Sequence, residues 1–214
     1  MTVRKLFWDD PYLAECAAVV TGVDGGTVTV DRTVAFARSG GQASDEATIA
    51  GRPVLEARTD GLEIRYDLGA GHGLRPGDAV AVAIDRPTRL RLIRLHFAAE
   101  LVLELVNQRY GRPPKTGAGI TPDGARLDFE WEGSIAPLLP ELQREVEKLV
   151  AADLPVVSAY DDEASQRRYW EIDGFARVPC GGTHPRRTGE VGAVALRRSN
   201  PGKGRERIEI RLAD

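Results

Sequence analysis

Residues 85–110 read DRPTRLRLIRLHFAAELVLELVNQRY, and the residue pattern of the chain changes there. Pro87 suits the first turn of a helix, where a missing backbone N–H costs nothing. Apolar residues then recur at the spacing that one helix face requires. They are Leu92, Leu95, Ala99, Val102, Leu103 and Val106. Gly111 and the prolines after it would end a helix. The sequence therefore predicts a long helix over 88–110.

On the N-terminal side of this helix, the chain carries mainly strand signals. Residues 19–23 and 27–30 are apolar or β-branched, and Asp24-Gly25-Gly26 between them is typical of a hairpin turn. Many short strands with regular turn signals favour a small barrel. We therefore predict an N-terminal β-barrel over 1–86, which includes a glycine-rich element at 33–45.

On the C-terminal side, helix and strand signals alternate. We predict a hairpin over 118–131 and a second helix over 135–153, capped by Ser134. The acidic run at 161–163 is interpreted as the start of a short helical stretch. Further strands are predicted at 156–160, 191–197 and 207–212. The fold class is therefore α+β: the barrel is followed by an α+β domain over 87–214, with an antiparallel sheet and packed helices.

Composition and charge exclude several classes of protein. Two cysteines in 214 residues argue against a disulfide scaffold. A net charge of −3 argues against a protein that coats nucleic acid through bulk charge. No apolar run has the length of a transmembrane helix, and the N-terminus lacks the apolar stretch of a secretory signal. We expect a cytoplasmic protein that does not enter membranes, and the oligomeric state is left open.

Two segments carry side chains that can bind a metal ion. His96 and Glu100 lie four residues apart, which places them on one helix face, one turn apart. The second segment is Cys180-Gly181-Gly182-Thr183-His184, in which the glycines would adopt positive φ and direct the cysteine and histidine inward. Cysteine and histidine are preferred zinc ligands. The predicted zinc ligands are His96, Glu100, Cys180 and His184.

The cysteine-containing loop, followed by Thr188-Gly189-Glu190-Val191-Gly192, resembles the signature of alanyl-tRNA editing domains. These domains occur in the freestanding AlaX proteins, in alanyl-tRNA synthetase and, in looser form, in threonyl-tRNA synthetase. Three other segments are similar to family elements: TVAFARSGGQASD at 33–45, RLH at 94–96 and RLDF at 126–129. The resemblance covers nearly the whole chain in the right order. The length fits the medium-sized freestanding form, which implies an N-terminal barrel and a C-terminal editing domain.

The chain departs from the family pattern at Glu100, which stands where the family has the second histidine of His-x-x-x-His. As a fourth ligand, Glu100 would neutralise the site and make zinc a weaker Lewis acid. Alternatively, three residues hold the metal and Glu100 acts as a general base beside a zinc-bound water, as in three-ligand catalytic sites. A third interpretation is that the metal is lost and the protein only binds. The glycine-rich element is also degraded, with Ser39 in place of its first glycine.

The resemblance implies a zinc-dependent trans-editing hydrolase that deacylates mischarged tRNA(Ala). Ser-tRNA(Ala) is the expected substrate, and Gly-tRNA(Ala) is the second candidate. By the same resemblance, Thr33 and Gln42 would contact the amino acid and assist catalysis. Gly181, Gly182 and Thr183 would line the substrate site, where loop amides can stabilise an oxyanion. The alternatives are a metal hydrolase of the same fold acting on another aminoacyl ester or a small molecule, and a tRNA-binding module without catalysis.

Because the net charge is negative, tRNA would have to bind at local patches rich in arginine. Three sequence clusters are candidates for such patches. They are Arg89, Arg91 and Arg94; Arg186 and Arg187; and Arg197, Arg198, Lys203, Arg205 and Arg207.

Overall fold

The computed structural model describes residues 2–202 and 204–213. The chain forms two compact units. The N-terminal unit comprises Met1–Ser39, Ala43–Leu90 and Asp162–Gln166. The C-terminal unit comprises Gly40–Gln42, Arg91–Asp161 and Arg167–Asp214. The predicted domain boundary between residues 86 and 87 stays a prediction.

The N-terminal unit is built from strands and one short helix, which the sequence analysis did not predict. The strands are β1 Arg4–Lys5, β2 Glu15–Asp24, β3 Thr27–Val30, β4 Arg32–Thr33, β5 Ala47–Ile49, β6 Arg52–Pro53, β7 Glu56–Asp60, β8 Glu63–Asp67 and β9 Ala79–Ile84. The helix is α1 Leu6–Asp9. Seven strands form one antiparallel sheet in the order β6-β5-β9-β2-β3-β8-β7. The predicted hairpin at residues 24–26 joins β2 to β3 and is confirmed.

Along these strands, buried side chains that form the core alternate with more exposed ones. Val28 and Val30 on β3, and Ile64 and Tyr66 on β8, are at most 2% exposed, whereas their neighbours along each strand are more exposed. Period-two burial of this kind is what a strand with one face on the core requires.

The two edge strands of the seven-stranded sheet, β6 and β7, follow one another in the chain. Val54 and Leu55 join β6 to β7; Val54 N donates to Ala47 O at 2.9 Å, and Leu55 N donates to Asp67 O at 2.8 Å. One segment, residues 52–60, therefore supplies both edge strands of the sheet. The closure of this sheet into a barrel stays a prediction.

A buried ion pair lies inside the N-terminal unit. Arg89 Nε donates to Asp45 Oδ1 at 2.8 Å, and the other guanidinium nitrogens donate to Asp45, Pro11 O and Val34 O. Asp45 also accepts a hydrogen bond from Phe36 N at 2.6 Å. Neither charged side chain is more than 1% exposed. The prediction that Arg89 belongs to an RNA-binding patch is therefore wrong, because its guanidinium is used inside the fold.

The long helix that the sequence predicts is α2 Arg86–Tyr110. Asp85 Oδ1 accepts a hydrogen bond from Thr88 N at 2.8 Å and so satisfies a free amide at the helix N-terminus. The predicted apolar stripe is largely buried, with Leu92, Leu95 and Val102 fully so. The helix prediction is confirmed to within two residues.

The C-terminal unit contains two sheets and a second helix. The strands are β10 Lys115–Thr121, β11 Gly124–Glu130, β12 Val157–Asp162, β13 Arg167–Ile172, β14 Ala176–Pro179, β15 Val194–Gly202 and β16 Arg205–Leu212. The helix is α3 Leu139–Ala151, preceded by a 3₁₀ turn at Ala136–Leu138; a second 3₁₀ turn lies at Thr188–Val191. The antiparallel order β10-β11-β16-β15 forms one sheet, and β12-β13-β14 forms the other.

Most predicted elements of this unit are confirmed, with two corrections. The hairpin β10–β11 and strands β12, β15 and β16 lie near where the sequence placed them. Helix α3 begins four residues later than predicted, and its N-cap is Leu138 rather than Ser134, which instead accepts a hydrogen bond from Ala136 N before the 3₁₀ turn. The interpretation of residues 161–163 as a helix start is wrong, because β12 continues to Asp162 and a turn leads into β13. Among the described residues, no helix is long and apolar enough to span a membrane.

Candidate metal centre

Three of the four predicted zinc ligands meet in the C-terminal unit. His96 comes from α2, and Cys180 and His184 come from the loop after β14. One candidate ligand atom from each lies within 4.8 Å of the other two. His96 Nε2 is 3.3 Å from Cys180 Sγ, and the two imidazole centroids are 5.2 Å apart. These three side chains could hold one metal ion.

The β13–β14 hairpin positions the loop that carries Cys180 and His184. Cys180 N donates to Arg168 O at 2.9 Å, directly beyond the pairing of Tyr169 with Pro179. A Cβ atom on Gly182 would lie 2.4 Å from His96 Nε2, so a larger residue would fill the space at the cluster. The expectation that the loop glycines adopt positive φ is wrong, since neither Gly181 nor Gly182 does so. Glycine is needed at 182 for close approach rather than for backbone conformation.

Burial sets the protonation of the cluster. His96 and His184 are 3% and 5% exposed, and burial lowers the pKa of both rings, that of His184 well below its usual value. Burial, with the charge of Glu100, raises the pKa of Cys180 to about 12, although a hydrogen bond from the Gly182 amide opposes this. Burial therefore favours neutral rings and a protonated thiol. A bound cation would favour the thiolate.

The hydrogen bonds of the rings also fit a metal ion. His184 Nδ1 is hydrogen-bonded to Ser158 Oγ at 3.1 Å, which leaves Nε2 for another partner. His184 Nε2 and His96 Nδ1 are buried and have no hydrogen-bond partner among the described residues. The His184 ring, with Nδ1 hydrogen-bonded and Nε2 unpaired, thus has the arrangement expected of a metal-binding histidine. Two rings and a thiol match the donor preferences of zinc.

Glu100 lies beside the cluster, outside the group of three. Its Oε2 accepts a hydrogen bond from Trp170 Nε1 at 3.1 Å. Its charge is close enough to affect the pKa of both His96 and Cys180. Trp170 is fully buried and packs edge-to-face on Phe97 at 5.3 Å. Both interpretations of Glu100, as a fourth zinc ligand and as a general base, stay predictions.

The predicted substrate residues lie in different surroundings. Gln42 is in the C-terminal unit, where its side chain pairs with Thr183. Thr33 is in the N-terminal unit, where its Oγ1 accepts hydrogen bonds from Ala35 N at 3.0 Å and Tyr66 Oη at 2.8 Å. The Gly182 amide is directed at the Cys180 sulfur. The substrate contacts predicted for Thr33, Gln42, Gly181, Gly182 and Thr183 stay predictions.

Sequence reasoning missed Trp170 and Ser158, which bind Glu100 and His184. Trp170 alternates with Arg168 and Ile172 on the buried face of β13. That period-two pattern is a strand signal, but the buried arginine obscures it. Nothing in the sequence around Ser158 indicates its contact with a loop 26 residues away.

Most of the candidate arginine patches are occupied by contacts within the protein. Ion pairs join Arg187 to Asp153, Arg198 to Glu206 and Arg207 to Asp128. The guanidinium groups of Arg91 and Arg94 donate to Pro122 O and Val191 O. Lys203 lies outside the described residues. These contacts leave the predicted RNA-binding role of the clusters untested.

Comparison with known proteins adds a second line of evidence. Residues 170–209 match the family model described as the threonyl and alanyl tRNA synthetase second additional domain. The alanyl-tRNA editing protein AlaX-M of Pyrococcus horikoshii is 29% identical, over 98% of this chain and 97% of that protein. AlaX-M of Methanosarcina acetivorans is 28% identical, over 98% of each chain. The alanine–tRNA ligase of Paraburkholderia xenovorans is 31% identical over 79% of this chain and 22% of that enzyme. The resemblance predicted from the motifs is confirmed: this chain is related, over nearly its whole length, to the alanyl-tRNA editing proteins.

Proposed function

We propose that this protein is a trans-editing hydrolase that deacylates mischarged tRNA(Ala), with Ser-tRNA(Ala) as its main substrate and Gly-tRNA(Ala) as the second. The observation that carries the proposal is the buried cluster of His96, Cys180 and His184. It belongs to a chain similar over its full length to proteins named alanyl-tRNA editing proteins. An apolar synthetase pocket discriminates poorly against an added hydroxyl, so such an editing activity is useful for alanine.

We place zinc on the ligands His96, Cys180 and His184. Three protein ligands with an open position are typical of catalytic zinc. Zinc held there would supply Lewis acidity, which polarises an ester carbonyl and lowers the pKa of water. The Gly182 amide supports the thiolate form of Cys180, and Ser158 orients the ring of His184. The unpaired His184 Nε2 supports this arrangement over a purely structural cluster.

In this proposal Glu100 is the general base rather than a fourth ligand. The hydrogen bond from Trp170 occupies one carboxylate oxygen and holds the group beside the cluster. The other oxygen can accept a proton from the attacking water and return it to the departing ribose oxygen, so that the ester is split into an acid and a hydroxyl. A positioned general base contributes about 10²–10⁴-fold to the rate.

The test compares Glu100→Gln with the wild type for zinc content and for hydrolysis of Ser-tRNA(Ala). We expect stoichiometric zinc in both proteins and a loss of about 10²–10⁴-fold in kcat for the variant. Trp170→Phe keeps an aromatic ring but removes the N–H together with part of the indole, so it should retain zinc and lose less activity than Glu100→Gln. If zinc is lost with Glu100→Gln, Glu100 is the fourth ligand.

Two further outcomes would replace the proposal. Hydrolysis of free aminoacyl esters with none of charged tRNA would identify a hydrolase for another ester. A wild-type protein without zinc or hydrolysis, whose RNA binding weakens steeply with salt, would be a binding module.

A further inference from the structure

Gln42 and Thr183 form a buried pair between segments that are 141 residues apart in the chain. Gln42 Nε2 donates to Thr183 Oγ1 at 3.0 Å, and Thr183 N donates to Gln42 Oε1 at 3.4 Å. The two residues are 0% and 1% exposed. Both ends of the Gln42 amide are therefore occupied by a single residue of the metal-binding loop.

The backbone of Gln42 is fixed on a regular element. It forms a parallel bridge with Ile120 of β10, and Ile120 N donates to Gly41 O at 2.8 Å. Gly41 has φ +92°, and a Cβ atom there would lie 3.1 Å from Ala118 O. The glycine thus permits a close approach that brings the amide of Gln42 to the loop.

We infer that Gln42 is a positioning residue that holds the metal-binding loop in place through Thr183. This inference rests on the metal centre of the proposed function. Thr183 lies between Gly182, which abuts His96, and His184, whose Nε2 has no partner in the part of the chain that the structure describes. A residue clamped on both its N–H and its hydroxyl transmits its position to the two neighbours in the chain. Because Gln42 is fully buried, it can contact a substrate only if its surroundings open.

The inference predicts that metal affinity depends on the pair. Gln42→Leu removes both hydrogen bonds of the pair, and Thr183→Val removes only the one to the hydroxyl, each with little change in volume. Residues that support metal ligands typically cost 10–100-fold in affinity when changed, so each variant should weaken zinc binding by about that factor. The double variant should bind zinc no more weakly than Gln42→Leu, because that change alone already breaks both hydrogen bonds of the pair. Thr183→Ser, which keeps the hydroxyl, should rescue most of the loss.

The measurement is zinc affinity by competition with a chromophoric chelator, together with KM and kcat for Ser-tRNA(Ala) at saturating zinc. Gln143→Leu is the matched control. Gln143 also clamps two backbone groups, Val194 O at 2.7 Å and Leu196 N at 2.9 Å, at a strand outside the cluster. The Gln143→Leu variant should unfold more easily but retain wild-type zinc affinity. If Gln42→Leu does not fold, Thr183→Val against Thr183→Ser carries the same test.

The outcomes separate this inference from the proposed function. Normal zinc affinity in Gln42→Leu, with a raised KM for Ser-tRNA(Ala), would overturn the inference and make Gln42 a substrate contact. Additive losses in the double variant would also overturn it. A wild-type protein that binds no zinc would instead defeat the proposed function.

Discussion

The two units each contain a buried polar cluster, and the clusters differ in how completely they are hydrogen-bonded. In the N-terminal unit, Arg89 and Asp45 bind each other and three backbone groups. In the C-terminal unit, His96, Cys180 and His184 leave two ring nitrogens without a partner among the described residues. An unpaired buried polar group costs about 1–3 kcal/mol. The hydrogen bonds of the first cluster are therefore completed within the fold, whereas the second leaves His184 Nε2 available to a ligand.

The largest effect should follow from removing a ligand of the second cluster. Cys180→Ser replaces a soft thiolate by a hydroxyl, a poor zinc ligand. We expect zinc affinity to fall by more than the 10–100-fold that supporting residues cost, and editing activity to be lost with it. The control is Cys16→Ser, a change of the half-buried thiol in the N-terminal unit. Stoichiometric zinc in Cys180→Ser would contradict the three-ligand site.

Changes to the first cluster, Arg89 and Asp45, should affect the stability of the fold rather than zinc binding. Asp45→Ala leaves the Arg89 guanidinium buried without its carboxylate, and breaking such a pair costs about 3–5 kcal/mol. The double variant Asp45→Leu with Arg89→Met removes both charges and should recover much of this loss. Urea unfolding of the three proteins measures the difference. A double variant as unstable as Asp45→Ala would show that the backbone hydrogen bonds, rather than the charge pair, dominate.

The carboxylate of Glu206 is another buried, hydrogen-bonded group, and its contribution to stability should depend on pH. The hydrogen bond from Arg198 lowers the pKa of Glu206, which also binds Ile135 N and is 1% exposed. Because the folded pKa lies below the unfolded one, near 4.3, its stabilisation is fully present above that value. It should be lost as the pH falls through the folded pKa. Wild type should exceed Glu206→Gln by about 1–3 kcal/mol at pH 7, and the difference should shrink below pH 4. A difference that does not depend on pH would argue against the ion pair.

The smallest effect should have the opposite sign. In the metal-free protein, His184→Leu removes an unpaired buried nitrogen, and the Ser158 hydroxyl it releases is exposed to water. We expect the variant to be more stable than wild type by about 1 kcal/mol in the presence of a chelator. Zinc should stabilise the wild type only. A loss of stability in the metal-free variant would mean that His184 serves packing rather than ligand binding.

Helix α2 could be predicted because its apolar stripe extends over many turns, and the hairpins because their turn residues are distinctive. β13 could not, since Arg168 occupies a buried position where an apolar residue would mark a strand. The acidic residues at 161–163 carry charge appropriate to a helix start, yet they end a strand and form a turn. Local composition did not determine the structure there, because pairing with a neighbouring strand decided it.

The candidate site divides in the same way. Spacing indicated His96 together with Glu100, which share one helix face, and Cys180 together with His184, which share one short loop. The contact of Trp170 with Glu100 and that of Gln42 with Thr183 join distant segments. Such contacts depend on strand register and packing, which a single sequence does not encode in any local pattern. The role of Gly182 was predicted for the wrong reason, because the space beside His96 is created only by the fold.

The segment over residues 52–60 has a consequence for the protein in concentrated solution. A free sheet edge is a template on which another chain can add a strand and begin aggregation. Here β6 is two residues long and contains Pro53, and β7 carries the exposed charges of Glu56, Arg58 and Asp60. Short length, proline and charge are the features that discourage such addition. The same nine residues that complete the sheet thus also discourage another chain from adding to it.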